Sequence, residues 1–149
     1  MGEQPTLMQP IRLARSIPLV IGISRKESLT ARTVGAVREA WKKNPSLYED
    51  IFRRIDQITL QGLAAAQRDD LEQLGDLMNV CHGLLNALRV SSPEIEDLVE
   101  IARRHGALGA KLTGGGGGGS IIALCPQHRD EVMGAMREAG YQAMEVQIG

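Results

Sequence analysis

The sequence predicts an α+β domain, a ferredoxin-like βαββαβ sandwich with inserted helices. The first observation behind this prediction is the order of apolar patterns along the chain, which runs strand, four helices, strand, strand, helix, strand. When the additional helices are set aside, the split βαβ arrangement remains. The second observation is size, because 149 residues with 43% hydrophobic content suffice for one domain with a substantial core.

Four segments carry strand patterns. Residues 17 to 23 form a continuous apolar run, which suits a strand covered on both faces. Residues 107 to 112 and 121 to 125 are two shorter apolar runs that flank a glycine tract, so they predict a strand, a glycine loop and a second strand. A closing strand follows, and its apolar residues share one face: Met144, Val146 and Ile148.

Helical spacing predicts the remaining elements. The apolar stripes of the first three helices and of the last one are, in chain order, Val34, Val37 and Trp41; Leu47, Ile51, Ile55 and Ile58; Leu71, Leu74, Met78, Cys81, Leu85 and Leu88; and Val132, Met133 and Met136. Such stripes are typical of helix faces that pack into a core. The fourth helix has clear boundaries, with Ser92 as N-cap, Pro93 at its first position, and the cations Arg103 and Arg104 before a C-cap glycine, Gly106.

Composition and charge exclude several classes of function. The net charge of −1 provides no basic face for nucleic acid. Neither an apolar run of about 18 residues nor a charged and then apolar leader is found in the sequence, so we expect no membrane span, no signal peptide and a cytoplasmic location. Cys81 and Cys125 lie in apolar surroundings without CxxC spacing, which favours two buried free thiols over a disulfide or a metal site.

The most unusual feature is the glycine loop, residues 111 to 120 with the sequence KLTGGGGGGS. In regular structure each glycine costs roughly 0.5 to 1 kcal/mol relative to alanine, so six in a row forgo about 3 to 6 kcal/mol. Close approach of bare backbone N–H groups to an anion would offset that cost, because any Cβ would clash with the bound phosphate. The alternative is a flexible linker, since glycine-rich tracts that end in serine behave as random coil.

Two common phosphate-loop motifs do not describe this loop. A Walker loop needs a lysine after its last glycine, and Ser120 directly follows Gly119. The Rossmann GxGxxG loop must open a helix, whereas residues 121 to 125 are short and β-like.

The segment GALGAKLTGGGGGGSIIALCP resembles the third conserved motif of the GHMP kinases (galactokinase, homoserine, mevalonate and phosphomevalonate kinases), most closely that of the mevalonate kinases. The stretch MNVCHGLLNALRVSSPEIEDLV resembles the segment that precedes this motif in archaeal-type members. PLVIG, residues 18 to 22, is a further match, so the resemblance covers residues 17 to 149. The matching residues of the middle stretch are Met78, Asn79, His82, Leu84, Leu85, Leu88, Val90, Ser91, Ser92 and Pro93.

The resemblance implies a domain organisation. Residues 17 to 149 would form the C-terminal domain of such a kinase, and residues 1 to 16, with two prolines, would be the connection from an N-terminal domain. In the family that N-terminal domain carries the catalytic Asp and Lys and the ATP loop with its metal-binding Ser. We therefore expect ATP and Mg²⁺ as cofactors, no catalytic or metal-binding residue in this chain, and no kinase activity of the isolated 149 residues.

Phosphate positioning is the part of phosphoryl transfer that this chain would provide. The candidate residues are Lys111, Thr113, Gly114, Gly115, Gly116, Gly117, Gly118, Gly119 and Ser120. Lys111 would face phosphate or remain a solvated strand residue. Thr113 and Ser120 would donate hydroxyl groups at the two lips of the loop or merely cap strand ends.

Thr30 and His82 are the candidates on the substrate side by the same resemblance. Mevalonate kinases usually carry Asp-Thr and then Ser-Thr after the Ile-Gly of the first strand; here Ile23 and Ser24 replace the first pair, and of the second pair only Thr30 matches. Its alternative role is a helix N-cap. His82 matches the family's Asn-x-x-His segment, and its alternative is a structural histidine at the edge of an apolar stripe.

Three functions remain open from the sequence. The first is a mevalonate kinase C-terminal domain that acts with its N-terminal domain on ATP and mevalonate. The second is the same domain of another GHMP kinase, which the changed residues after the first strand allow. The third is a non-catalytic interaction module of the same fold; homodimerisation is a further open alternative for the assembly.

Overall fold

The structure of the protein, a computed structural model, describes residues 10–24, 30–114 and 119–149, with the side chains of residues 30–32 left out. Its elements in chain order are β1 (Ile17–Ile23), α1 (Thr30–Lys43), α2 (Pro45–Gln67), α3 (Leu71–Ala87), α4 (Pro93–Arg104), β2 (Gly109–Thr113), β3 (Ser120–Leu124), α5 (Arg129–Glu138) and β4 (Gln142–Ile148). This order is the predicted one, so the predicted element types are confirmed.

The four strands form one antiparallel sheet in the order β2-β3-β1-β4. This is the strand order of a ferredoxin-like sandwich, in which the two halves of the split βαβ unit interleave. In the register, Leu19 of β1 lies opposite Leu124 of β3 and Val146 of β4. The predicted α+β fold class is therefore confirmed, and α1 to α3 are the inserted helices.

Both faces of the sheet carry helices. α4 and α5 cover one face, where Leu98 and Met136 pack with Val20 and Ile121 in the largest apolar cluster. The hairpin of α2 and α3 lies on the other face and contributes Met78 to a smaller cluster on β1 and β3. Coverage from both sides is why β1 is a continuous apolar run and not an alternating one.

The boundaries of α4 follow from its local sequence. The Ser92 side chain accepts a hydrogen bond from the main-chain N–H of Ile95 at 3.2 Å, and Pro93 opens the helix. After the cap at His105, Gly106 adopts φ +113°, the left-handed region that glycine enters without strain. The predicted cap and stop signals are confirmed.

Several large apolar side chains remain exposed among the described residues. On α1, Val34 and Trp41 are 49% and 41% exposed, so the stripe predicted for this helix is only partly covered. On β4, Met144 and Ile148 are 46% and 50% exposed and lie on the same face of the strand. Leu47 and Leu60 of α2, Val80 of α3 and Ile11 are exposed as well, so uncovered apolar side chains are not confined to α1 and β4.

Both cysteines are free and buried, as predicted: Cys81 packs between helices, and Cys125 follows β3 in the main core. Within the residues described, no helix has the length and apolar character needed to cross a membrane.

Candidate functional site

The glycine loop connects β2 to β3 at one end of the sheet. Thr113 and Ser120, both half-buried, form the last residue pair of the hairpin. The flanking Gly114 and Gly119 have φ values of +82° and +90°, and a Cβ at either would meet no atom within 4 Å. Glycine is therefore required here by the backbone conformation and not by crowding. Gly115, Gly116, Gly117 and Gly118 lie outside the described residues.

The end of β1 lies directly beside this loop. Ile23 pairs with Ser120, and the main-chain N–H of Ser24 donates to the carbonyl of Gly119 at 2.8 Å. Thr30 is the first residue of α1, and its side chain is not among those described, so its predicted role stays a prediction. The sheet thus brings the two ends of the glycine loop next to the strand that leads toward the predicted substrate side.

Lys111 lies on the sheet face that carries α2 and α3. Its side chain lines an apolar cavity of about 380 Å³ together with Ile122 and Met78, among others. The half-buried side chain donates from Nζ to the carbonyl of Leu112 at 2.8 Å. In this conformation the ammonium group is held by the main chain just before the loop, and contact with a phosphate would require a change of rotamer.

His82 is buried, with 4% of its surface exposed, and it joins three elements. Its Nδ1 accepts a hydrogen bond from the main-chain N–H of Leu112 in β2 at 3.1 Å. Its Nε2 lies 2.5 Å from Oε2 of Glu96 in α4. Because the Leu112 N–H needs an acceptor, Nδ1 carries no proton and the ring is the Nε2–H tautomer that donates to Glu96.

Asn79, one helical turn before His82 on α3, binds the same strand. Its Oδ1 accepts from the N–H of Ala110 at 3.0 Å and from Nε of Arg103 at 2.9 Å. Arg103 also donates from Nη2 to the carbonyl of Ala110 at 3.1 Å. Burial of this guanidinium lowers the pKa of Arg103, and the nearby charge of Glu96 opposes that effect.

These roles of Glu96 and Arg103 were missed in the sequence. Arg103 was interpreted only as a cation near the end of a helix, whereas its guanidinium reaches the edge strand. The sequence held one signal of this network, the spacing of Asn79 and His82. Residues three apart lie on the same face of a helix, so both side chains point toward the same neighbour. A groove of about 630 Å³ lies over this network, between α3 and α4, and is lined by residues that include Asn79, His82, Glu96 and Arg103.

The main chain is accessible at the two described ends of the glycine loop, Gly114 and Gly119. Both adjoin open space, and their left-handed backbone is the kind of conformation in which successive N–H groups form an anion-binding nest. Among the described residues there is no group of three or more His, Cys, Asp or Glu side chains arranged for a metal ion. The described part of the chain thus combines open, left-handed backbone at both ends of the glycine loop with no such group of metal-ligating side chains.

Comparison with known proteins gives the family. Residues 63–142 match the family model described as GHMP kinases C terminal. Mevalonate kinase of Pyrococcus abyssi is 38% identical over 137 residues, and the match covers 89% of this chain and 41% of the relative. Mevalonate kinase of Methanothermobacter thermautotrophicus is 40% identical over 119 residues, which cover 80% of this chain and 39% of that one.

A solved structure agrees with these relatives. The crystal structure of L. major mevalonate kinase in complex with R-mevalonate superposes with a TM-score of 0.85 and 30% identity, covering 93% of this chain and 44% of that one. The chain therefore spans about two fifths of the length of the mevalonate kinases it matches. With more than half of its residues inside the family model, the chain belongs to the GHMP kinases and corresponds to their C-terminal domain.

Proposed function

We propose that this chain is the C-terminal domain of a mevalonate kinase, which transfers the γ-phosphate of ATP to the 5-hydroxyl group of mevalonate. The observation that carries the proposal is the glycine loop between β2 and β3, tied to β1 through Ser24 and Gly119, in a chain of this family. The identity to archaeal mevalonate kinases favours mevalonate as the substrate. The R-mevalonate complex of the L. major protein supports the same choice.

The glycine loop would hold the ATP phosphates. In this proposal the main-chain N–H groups from Gly114 to Gly119 surround phosphate oxygens, where fixed donors stabilise developing negative charge. Thr113 and Ser120 donate their hydroxyl groups at the two lips, and Lys111 supplies a positive charge after a rotamer change. ATP brings the transferable phosphoryl group, and this chain contributes positioning and charge stabilisation.

Thr30 and His82 would lie on the substrate side of the loop. Thr30 opens α1, which follows the strand bonded to Gly119. His82 is bonded to Leu112, two residues before Gly114. Both of its ring nitrogens have partners within the protein, so a contribution of His82 through β2 is favoured over direct contact with substrate.

The remaining catalytic groups would come from an N-terminal kinase domain. The relatives are more than twice the length of this chain, which leaves room for such a domain. We propose that residues 17 to 149 are the C-terminal domain and residues 1 to 16 the connection. The exposed Met144 and Ile148 of β4 offer an apolar face for docking.

Without the N-terminal domain the 149 residues lack the groups that bind Mg²⁺ and activate the hydroxyl, so we expect no turnover. Homodimerisation is retained as an alternative use of an apolar face.

The buried free thiols of Cys81 and Cys125 suit a reducing compartment, and we accordingly propose the cytoplasm as the location.

Another GHMP substrate is the second candidate, favoured by one observation. Ile23 and Ser24 stand where mevalonate kinases carry Asp-Thr, and Ser24 is adjacent to the glycine loop. A pocket with these residues differs in charge and polarity from one with an aspartate, and buried polar groups discriminate strongly between substrates.

A hybrid enzyme tests the proposed function. Residues 17 to 149 replace the corresponding part of Pyrococcus abyssi mevalonate kinase, and ATP consumption is measured with mevalonate, phosphomevalonate, homoserine and galactose. We expect phosphorylation of mevalonate, and weaker activity when Gly114→Val distorts the loop. A folded hybrid that prefers another of these substrates would support the second candidate. A folded hybrid with no activity toward any of them would favour the non-catalytic module.

A further inference from the structure

The outer edge of β2 is closed by side chains and not by another strand. β2 is an edge strand, and alternate residues of such a strand present N–H and C=O groups away from the sheet. Asn79 accepts from the Ala110 N–H, His82 accepts from the Leu112 N–H, and Arg103 donates to the Ala110 carbonyl. Side chains of α3 and α4 therefore make the hydrogen bonds that a neighbouring strand would make.

This edge leads directly into the glycine loop. Leu112 is followed by Thr113, the last residue of β2, and then by Gly114. Among the described residues, the hydrogen bond at 3.1 Å between His82 and Leu112 is thus the last tertiary hydrogen bond on this edge of β2 before the loop begins. On the other side of the hairpin, Ser24 holds Gly119. The two ends of the loop are fixed by different parts of the fold.

We propose that His82 and Asn79 are positioning residues for the phosphate site, with Glu96 holding the His82 ring in the Nε2–H tautomer. They act through the main chain of β2, which they fix against α3, and not by contact with ATP or substrate. The inference rests on the proposed function of the loop. It also assigns a specific task to Asn79 and His82. The two side chains, three residues apart on α3, bind Ala110 and Leu112, which are two residues apart on β2.

Glu96 completes the arrangement because the tautomer decides whether the bond to β2 exists. If the ring proton moved to Nδ1, two donors would face each other at Leu112. The Glu96 carboxylate, 2.5 Å from Nε2, keeps the proton on the outer nitrogen. Glu96 is 38% exposed at its side chain, so it can be replaced with less disturbance of the core than His82.

Two substitutions of His82 separate its hydrogen bond from its bulk. His82→Asn retains an acceptor near the position of Nδ1, whereas His82→Leu fills space without one. Ile58→Ala, in the cluster between α2 and α3, is the control for lost global stability. The measurements on the 149-residue chain are amide hydrogen exchange at Leu112 and the concentration of Mg-ATP that half-saturates the amide shifts of Gly114 and Gly119.

Because His82→Leu loses one hydrogen bond, we expect amide exchange at Leu112 to be roughly five- to tenfold faster than in Ile58→Ala, compared under conditions in which the two variants have equal stability. We also expect weaker Mg-ATP binding in His82→Leu and recovery of both properties in His82→Asn. The proposal is overturned if His82→Leu and Ile58→Ala agree in both measurements. Exchange requires no nucleotide, so absence of Mg-ATP binding by the unaltered chain would count against the proposed function, while exchange would still decide whether His82 fixes β2.

Glu96 variants keep the proposal testable if His82→Leu does not fold. The ring ¹⁵N shifts of His82 in the unaltered chain should be those of the Nε2–H tautomer. Glu96→Gln retains an acceptor and should preserve this pattern, whereas Glu96→Ala should produce a mixture of tautomers and faster exchange at Leu112. A ring protonated at Nδ1 in the unaltered chain, or an unchanged ring in Glu96→Ala, would contradict the assigned role of Glu96.

Discussion

Gly75 of α3 and Gly109 of β2 touch backbone to backbone. A Cβ placed on Gly109 would lie 2.2 Å from the carbonyl oxygen of Gly75, and a Cβ on Gly75 would lie 2.6 Å from the carbonyl oxygen of Leu108. No side chain fits between α3 and β2 at this point. This contact brings α3 close enough to β2 for Asn79 and His82 to reach the edge of the strand.

Gly109→Ala should separate α3 from β2. Because the clash is with main chain, neither partner can relax by a change of rotamer, and we expect a loss of roughly 1 to 3 kcal/mol or more in the free energy of unfolding, as for an overpacked core. Urea unfolding followed by circular dichroism measures this loss. The control is Gly83→Ala in α3, the helix that Gly109 contacts, where a Cβ meets nothing within 4 Å. That substitution should stabilise the chain by about 0.5 to 1 kcal/mol. Equal effects of the two variants would contradict the packing described.

Substitutions of Gly114 distinguish two reasons for a glycine at this position, the left-handed backbone conformation and the close approach of a phosphate group. Alanine at φ +82° is strained, so Gly114→Ala should destabilise the chain by about 1 to 2 kcal/mol. Asparagine tolerates the left-handed region better, so Gly114→Asn should keep most of the stability. If phosphate approaches this backbone, Gly114→Asn should still weaken Mg-ATP binding, as measured by amide shifts. Unchanged binding in Gly114→Asn would show that a side chain is tolerated at this lip of the loop.

Tyr141 should make the fold sensitive to high pH. Burial, followed by the hydrogen bond at 2.7 Å to Asp97, raises the pKa of Tyr141 to about 12. The folded state therefore retains a proton that the unfolded chain releases near pH 10. Stability from this residue is complete below about pH 10 and falls as pH rises toward about 12.

The chain has two tyrosines, so Tyr141 is the one phenol left in Tyr48→Phe. Absorbance titration of this variant therefore measures the pKa of Tyr141. Tyr141→Phe should lose less stability between about pH 10 and 12 than the unaltered chain. A phenol that titrates near pH 10 in the folded protein would contradict the effect of Asp97 and burial.

The thiol of Cys125 should be unreactive in the folded protein. Its burial raises the pKa to about 11, and the thiolate is the reactive species. A thiol reagent at pH 8 should therefore label Cys125 only as fast as the protein unfolds, and labelling should be complete in denaturant. Cys81→Ser isolates this residue, since the chain has two cysteines. Rapid labelling without denaturant would contradict the packing of this part of the core.

The parts of the fold predicted from sequence are those with local causes. Ser92, Pro93 and Gly106 mark the limits of α4 because caps and stops depend on residues within one turn. The continuous apolar run of β1 and the two runs around the glycines predicted the strands, and from these the ferredoxin-like order followed.

The parts that were not predicted depend on distant contacts. Asn79 meets Ala110 across 31 positions of sequence, and Arg103 meets Asn79 across 24. No spacing rule connects such pairs, because their approach is created by the packing of α3 and α4 on the sheet. The bond of His82 to Leu112 was missed for the same reason. Resemblance marked Asn79 and His82 as a pair, and the structure adds the strand edge that they bind.

An amide NMR titration of the 149-residue chain with Mg-ATP tests the phosphate site most directly, with Gly114, Gly119 and Ser24 as reporters. We predict saturable shifts confined to the hairpin tip and the end of β1, with half-saturation in the millimolar range, roughly −4 kcal/mol, because the proposed N-terminal domain would supply the rest of the site. Inorganic triphosphate should compete at the same residues. Shifts that do not saturate, or that appear only away from the hairpin, would contradict a phosphate site at the glycine loop of this chain.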